Sequence, residues 1–148
     1  MSVSTARQPG PSRVASGPMT TQTALITGTD FIAVATQDFD AAVEFYGNVL
    51  GLPLSKHWGQ MPAAEFETGT LTIAVMQSDA FGMAFRSNNH PIALRVDDVE
   101  AARAELETRG VQFKGDIIDS GVCHQTFFED PDGNLLGLHH RYAPRDAK

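Results

Sequence analysis

Cysteine is scarce in this sequence, and its scarcity excludes several classes of protein. Cys123 is the only cysteine in 148 residues. The chain therefore holds no intrachain disulfide framework and no zinc site built from several cysteines. A single cysteine suits a reducing compartment, and we expect a cytoplasmic protein.

Long hydrophobic runs and an excess of positive charge are also missing. No apolar stretch approaches the roughly 18 residues that a membrane-spanning helix needs. Lys and Arg number 11 against 18 Asp and Glu, which gives a formal net charge of −7. Neither a nucleic acid nor an anionic membrane surface is therefore an expected partner.

Acidic residues are absent from the beginning of the chain. Residues 1–29 contain no Asp or Glu, and 13 of the first 25 residues are Ser, Thr, Pro or Gly. This composition predicts a disordered tail over residues 1–27, a folded domain over 28–142 and a short tail over 143–148. A Ser-rich leader with Arg7 and Arg13 is also compatible with an organelle transit peptide, and Met19 is a candidate second start.

A hydrophobic pattern occurs twice in the rest of the chain. Asp38-Phe39-Asp40-Ala41-Ala42 returns sixty positions later as Asp98-Val99-Glu100-Ala101-Ala102, each time after a strand-like apolar run. Both copies predict an amphipathic helix with an Asp at its N-cap. The helices are expected to end at Gly51 and Gly110.

Three short strands are predicted after each helix. They cover residues 53–58, 62–67 and 71–77 in the first copy and 111–117, 122–129 and 134–141 in the second, and similar turn sequences join the last two of each set. The pattern predicts an α+β protein of two βαβββ modules. Together the modules would form one curved, eight-stranded mixed sheet with the helices outside.

Two segments resemble a known family. The runs DFDAAVEFYGNVLGLPL (38–54) and FFEDPDGNLLGL (127–138) are similar to the signature segments of the vicinal oxygen chelate superfamily. That superfamily includes lactoylglutathione lyase (glyoxalase I), bleomycin- and fosfomycin-resistance proteins, extradiol dioxygenases and methylmalonyl-CoA epimerase. The resemblance covers about residues 29–142 and implies a U-shaped funnel that holds a small molecule. Because this fold hosts many reactions, it implies the fold more strongly than the activity.

The resemblance also implies where a divalent metal would bind. The family's His, Gln or Glu ligands would fall at Phe31, Ile73, Pro91 and Gly137 of this sequence. None of these side chains can bind a metal. We therefore predict no metal site of the usual kind and favour no cofactor.

Displaced ligands are the alternative. A β-bulge at Pro91 would turn His90 toward the funnel, and strand alternation places Glu65 and His139 there as well. Two histidines and a carboxylate suit iron, manganese, zinc or nickel. Glu65 and His139 are also the candidate catalytic residues of an acid–base enzyme that needs no metal.

Strand alternation predicts the remaining lining of the funnel. Arg95 is expected to face inward, where its guanidinium can bind a carboxylate or phosphate of a ligand. The predicted ligand-binding residues are Phe31, Trp58, Ile73, Arg95, Gln125 and Phe127. This lining is that of an apolar small-molecule pocket with a few polar groups.

Two functions from different classes follow. The first is a protein that binds a hydrophobic or aromatic small molecule without a metal. The second is an enzyme, either a metal-dependent glyoxalase-like lyase or isomerase or an extradiol-type dioxygenase with displaced ligands. The four positions without ligand side chains favour the first, and enzyme activity stays open. An apolar cluster between the modules, formed by Ala80, Phe81, Met83, Ala84 and Phe85, predicts a homodimer.

Overall fold

The computed structural model describes residues 24–145. Most of the predicted N-terminal tail, residues 1–23, and the last three residues of the predicted C-terminal tail, 146–148, lie outside the described residues. Residues 24–30 are exposed and contain no helix or strand. The regular structure begins at Phe31.

The first module has the predicted order of elements. Asp38 caps its helix, because the carboxylate accepts a hydrogen bond from the backbone N–H of Ala41. The helix is α-helical over Phe39–Glu44 and continues as a π-helical segment over Phe45–Val49. The elements are β1 (Phe31–Thr36), α1 (Phe39–Glu44), β2 (Leu54–His57), β3 (Ala63–Glu67) and β4 (Thr72–Gln77), followed by a 3-10 turn over Ser78–Phe81.

The second module repeats this order. Asp98 caps its helix in the same way, with the carboxylate accepting from the N–H of Ala101. The elements are β5 (Ile92–Arg95), α2 (Val99–Thr108), β6 (Phe113–Asp119), β7 (Cys123–Glu129) and β8 (Leu135–Arg141). The predicted strand limits differ from the observed ones by at most two residues.

The eight strands form two mixed sheets, one in each module. Their orders are β1-β4-β3-β2 and β5-β8-β7-β6. The first pair of each sheet is parallel and the other pairs are antiparallel. The prediction of eight strands in two βαβββ modules is confirmed, and the strands divide into two four-stranded sheets that do not close.

Both modules contribute to one hydrophobic core. The helix-facing side chains of the first sheet, such as Val34 and Phe66, belong to the same buried cluster as Phe128 and Leu136 of the second. Each such side chain stabilises the fold by roughly 1.5–3 kcal/mol when it leaves water. Because side chains alternate along a strand, the other face of each sheet points away from this core. We call these two outer surfaces the helix-free faces.

The turn between β7 and β8 connects the modules by buried hydrogen bonds. The Tyr46 hydroxyl of the π-helical segment donates to Asp130 Oδ2 over 2.8 Å. Asn134 Nδ2 donates to the same carboxylate and to the backbone carbonyl at Ala35. Burial, together with the charge of Asp130, raises the pKa of Tyr46 well above its ordinary value, so Tyr46 stays a neutral donor. The two segments that carry the family resemblance therefore meet at this joint.

Candidate functional site

A row of polar side chains crosses the helix-free face of the second sheet. Arg95 lies directly across from His139 in the β5–β8 pair, and His139 lies directly across from Gln125 in the β8–β7 pair. Residues that are directly opposite share a face and lie about 4.5–5.5 Å apart at Cβ. The prediction that these three side chains share one face is confirmed, since Leu136 and Leu138 of the same strand are buried in the core.

An apolar row lies beside this polar row. Ala93, Gly137 and Phe127 are opposite one another on β5, β8 and β7. A Cβ atom on Gly137 would lie 3.2 Å from Cδ1 of the Phe127 ring. Because Gly137 has no side chain, the Phe127 ring can lie close against β8. The ring adds apolar surface to this face of the sheet.

An aromatic cluster occupies the corresponding face of the first sheet. Phe31 makes an edge-to-face contact with Trp58 at 5.9 Å between ring centroids, and Trp58 makes another with Phe81 at 6.1 Å. Phe31 is 40% exposed. The structure thus brings the predicted residues Phe31 and Trp58 together and adds Phe81. The sequence showed Phe81 only as an apolar residue between the modules.

Glu65 lies on the same helix-free face, as predicted. It is directly across from Ala74 in β4, whereas its neighbour Phe66 is fully buried in the core. Ala74 in turn lies across from Ala33 in β1. Glu65 and His139 therefore belong to different sheets, and the structure does not join them as an acid–base pair within one sheet.

The predicted position of Ile73 is wrong. Ile73 is 1% exposed and belongs to the hydrophobic core. It lies across from Ile32 and Phe66, two residues whose side chains point toward the helices. Its side chain therefore faces the core and not the helix-free face.

The cause of this error is the position of the glycine within each turn. Ala74 lies across from Ala33 as Gly137 lies across from Ala93, so Ala74 and not Ile73 is the counterpart of Gly137. Two residues separate Gly69 from the start of β4, whereas one residue separates Gly133 from the start of β8. Counting from the turn glycine therefore shifts the position by one residue. Alanine cannot bind a metal either, so the side chains at the four family positions do not fit the usual metal.

The structure also describes the alternative ligands. His90 is exposed and precedes β5, and the β5–β8 pairing begins at Ile92, after the position of the predicted bulge at Pro91. Within residues 24–145, no group of three or more His, Cys, Asp or Glu side chains is placed to hold a metal ion. Within a single chain, His90, Glu65 and His139 do not lie close enough to bind one metal ion together.

An apolar cavity of about 610 Å³ lies where the two modules meet. Ile73 lines it from the first sheet, Leu138 from the second and Ala102 from α2, while Arg95 contributes to its border. This volume is in the range of small-molecule sites. Of the predicted ligand-binding residues, Ile73 and Arg95 line this cavity, and Phe31, Trp58, Gln125 and Phe127 belong to the helix-free faces.

The chain belongs to the Glyoxalase/Bleomycin resistance protein/Dioxygenase superfamily, which matches residues 28–138. This match confirms the family resemblance of the two signature segments. The fold also resembles that of TnmS3, an antibiotic binding protein from Streptomyces sp. CB03234. That similarity has a TM-score of 0.67 and 24% sequence identity, and it covers 80% of this chain and 99% of the other.

Two curated proteins also show sequence similarity to this chain. The uncharacterized protein YraH of Bacillus subtilis is 26% identical over 123 residues, which are 73% of this chain and 94% of YraH. A lactoylglutathione lyase of Schizosaccharomyces pombe is 27% identical over 135 residues. The match covers 71% of this chain but only 44% of the lyase.

The helices that the structure describes are all too short or too polar to cross a membrane.

Proposed function

We propose that this protein binds a planar aromatic small molecule with an acidic or carbonyl oxygen on its helix-free faces and needs no metal to do so. The observation that carries the proposal is the pair of rows on the second sheet. Polar Arg95, His139 and Gln125 lie directly beside apolar Ala93, Gly137 and Phe127. A flat ligand with an apolar body and a polar edge matches this arrangement.

The chemistry of each row supports this ligand class. Arg95 is exposed, and a guanidinium can hold a carboxylate by two parallel hydrogen bonds. The Phe127 ring offers an apolar surface, and the cluster of Phe31, Trp58 and Phe81 offers a second one for edge-to-face or offset contacts. The likeness to an antibiotic binding protein agrees with binding as the function.

Titration with anthraquinone-2-carboxylate tests this proposal. Trp58 is the only tryptophan of the chain and lies in the aromatic cluster of the first sheet, so quenching of its fluorescence reports a ring bound at that cluster. Calorimetry of the same titration reports binding at the rows of the second sheet. We expect saturable quenching, and Phe127→Ala should weaken binding by roughly 1–3 kcal/mol through lost apolar contact. Arg95→Gln should weaken binding of the carboxylate but not of unsubstituted anthraquinone.

The matched control for Arg95 is Arg86→Gln, which removes an exposed guanidinium from the segment between the modules. This variant should bind the carboxylate like the wild type. Equal losses in the two arginine variants would mean that net charge and not the polar row attracts the ligand. Unchanged binding in Phe127→Ala would contradict the proposed location.

The proposal includes a homodimer, whose second copy would cover apolar surface that one chain leaves exposed. Met83 is 54% exposed and Ala84 is exposed, both in the segment that joins the modules. Static light scattering at micromolar concentration should give twice the 16.0 kDa of one chain. A particle of 16.0 kDa would contradict the dimer, and Met83→Lys should shift the distribution toward it.

An enzyme is the second candidate, and the similarity to a lactoylglutathione lyase favours it. A metal-dependent lyase, isomerase or dioxygenase would need His90, Glu65 and His139 as displaced ligands. Elemental analysis of protein without a histidine tag separates the two candidates. Stoichiometric metal that His139→Ala loses and Phe127→Ala keeps would overturn the metal-free proposal.

A further inference from the structure

Two histidines line a cleft on the helix-facing side of the second sheet. His124 and His140 lie directly across from each other on β7 and β8, so their side chains share a face. Both line a cleft of about 500 Å³ at the beginning of α2. Strand alternation places them on the opposite face from Gln125 and His139. The cleft is therefore separate from the ligand site of the proposed function.

The hydrogen bonds of these histidines determine which ring nitrogens are free. His140 Nδ1 lies 3.1 Å from the backbone oxygen of Val96. A carbonyl oxygen can only accept, so Nδ1 carries the proton and Nε2 keeps its lone pair. His124 Nε2 lies 3.3 Å from Asp119 Oδ2, which favours the proton on Nε2 and leaves the lone pair on Nδ1.

This arrangement is the one that metal-binding histidines have in proteins. Such a histidine donates its second ring N–H to a carboxylate or a backbone carbonyl, and that bond orients the ring. His140 has the carbonyl of Val96 and His124 has the carboxylate of Asp119. The Tyr142 hydroxyl and the backbone N–H of Gly121 both donate to Oδ1 of Asp119. These two hydrogen bonds hold the Asp119 carboxylate in place beside His124.

Negative charge surrounds the same cleft. Asp97, Asp98 and Glu100 line it beside the two histidines. Asp98 uses one carboxylate oxygen to cap α2, whereas Asp97 and Glu100 are exposed. Carboxylates at a cleft raise the local concentration of cations. The described residues do not form a group of three or more metal-binding side chains, so water would complete the coordination of an ion held by two imidazoles.

We infer that His124 and His140 form a binding site for a divalent transition-metal ion, with Cu²⁺ bound most tightly. Imidazole nitrogen suits copper, nickel and zinc, and the general order of affinities places Cu²⁺ highest. Magnesium and calcium prefer oxygen ligands and would bind weakly. The site uses residues that neither the ligand rows nor the displaced-ligand alternative contains.

Titration of the full-length chain, without a histidine tag, with CuCl2 tests this inference. Electron paramagnetic resonance should show one Cu²⁺ per chain with hyperfine splitting from two nitrogen ligands. Calorimetry should show that His124→Ala and His140→Ala each lose more than the tenfold in affinity that changes to outer partners typically cost. Asp119→Asn keeps both imidazoles and should weaken binding by about tenfold.

The controls are the histidines outside the cleft. His90→Ala and His139→Ala should bind Cu²⁺ with the affinity and the two-nitrogen signal of the wild type. Loss of copper in His139→Ala, or its retention in the double variant His124→Ala/His140→Ala, would overturn the inference. Circular dichroism identifies any alanine variant that does not fold. Asp119→Asn then decides, since unchanged affinity there would count against the site.

Discussion

The two modules have the same order of elements, yet the two joints between them differ. At the first joint, the turn before β8 meets the helix of the first module, and Tyr46 donates to the buried Asp130. At the second joint, the turn before β4 and the helix α2 border the same cavity. Leu106 of α2 lines it, and Leu106 follows Asp98 by the same number of residues as Tyr46 follows Asp38. There, Thr68, Thr70 and Leu71 border the apolar cavity of about 610 Å³.

This difference indicates a division of roles within a repeated fold. Hydrogen bonds to a charged group contribute about 1.5–3 kcal/mol each, so the first joint, which we call the polar joint, holds the modules together. The second joint, which we call the apolar joint, leaves space and has no buried carboxylate that must stay paired. Substitutions in the two joints should therefore have different effects.

The largest difference is expected between Asn134→Ala and Thr70→Ala. Asn134 Nδ2 donates to the Ala35 carbonyl and to Asp130, and its Oδ1 accepts from the N–H of Asn88. Its removal takes one hydrogen bond from each of these three partners and should lower the free energy of unfolding by about 3 kcal/mol. Thr70 is exposed, and its substitution should change stability by less than about 0.5 kcal/mol. Urea unfolding measures both, and similar losses would refute the comparison.

Tyr46→Phe removes one hydrogen bond of the polar joint and should cost about 1–3 kcal/mol. It should also change the alkaline stability. The unfolded chain ionises tyrosine above its ordinary pKa of 10.0, whereas burial raises the pKa of Tyr46 in the folded state. The stabilising contribution is therefore complete below pH 10 and decreases as the pH rises above it.

The difference between wild type and Tyr46→Phe should consequently shrink between about pH 9 and pH 11. Urea unfolding at several pH values measures this difference. A constant difference over the whole range would mean that Tyr46 is not held neutral by the joint.

Substitutions of two alanines at equivalent helix positions test how tightly each joint is packed. Ala42 is fully buried, so Ala42→Leu should destabilise the fold by about 1–3 kcal/mol through overpacking. Ala102 borders the cavity, so Ala102→Leu should fill space and raise stability by up to about 1 kcal/mol. Thermal unfolding shows the sign of each change. A loss in Ala102→Leu as large as that in Ala42→Leu would mean that the cavity closes in solution.

The smallest effect is expected at the hairpin of β6 and β7, where the Tyr142 hydroxyl donates to Asp119. This bond lowers the pKa of Asp119 in the folded state below its usual 3.8. The contribution is therefore present above pH 3.8 and is lost as the pH falls through the folded-state pKa. Tyr142→Phe should make the unfolding midpoint slightly less dependent on pH in acid. Trp58→Phe, in the first module's hairpin, should lower stability equally at each pH.

Much of the fold was predictable because its signals are local. An Asp before each helix, the glycine after it and the spacing of apolar residues depend on a few neighbouring residues. The faces of β8 were also readable, since Leu136 and Leu138 enter the core while Gly137 and His139 lie on the other side. Only one face of this strand packs against the helices, and the sequence therefore alternates.

In the first sheet, the sequence pattern does not predict which side chains face the helices. Ile73, Ala74 and Val75 are consecutive and all buried, so no alternation indicates which of them faces the helices. The register with β1 and β3 decides the question, and the register depends on the lengths of the turns. The sequence pattern therefore placed Ile73 on the wrong face.

The amino-acid sequence by itself determined the two repeated modules, their caps and the face of Arg95, Gln125, Phe127 and His139. Only the tertiary structure decided the contacts between distant residues. Tyr46 and Asp130 are 84 positions apart, and His124 meets His140 only through the register of β7 and β8. The physical reason is that the periodicity of apolar residues reports which face of a single strand or helix is buried. A joint or a binding site depends instead on how several elements align with one another.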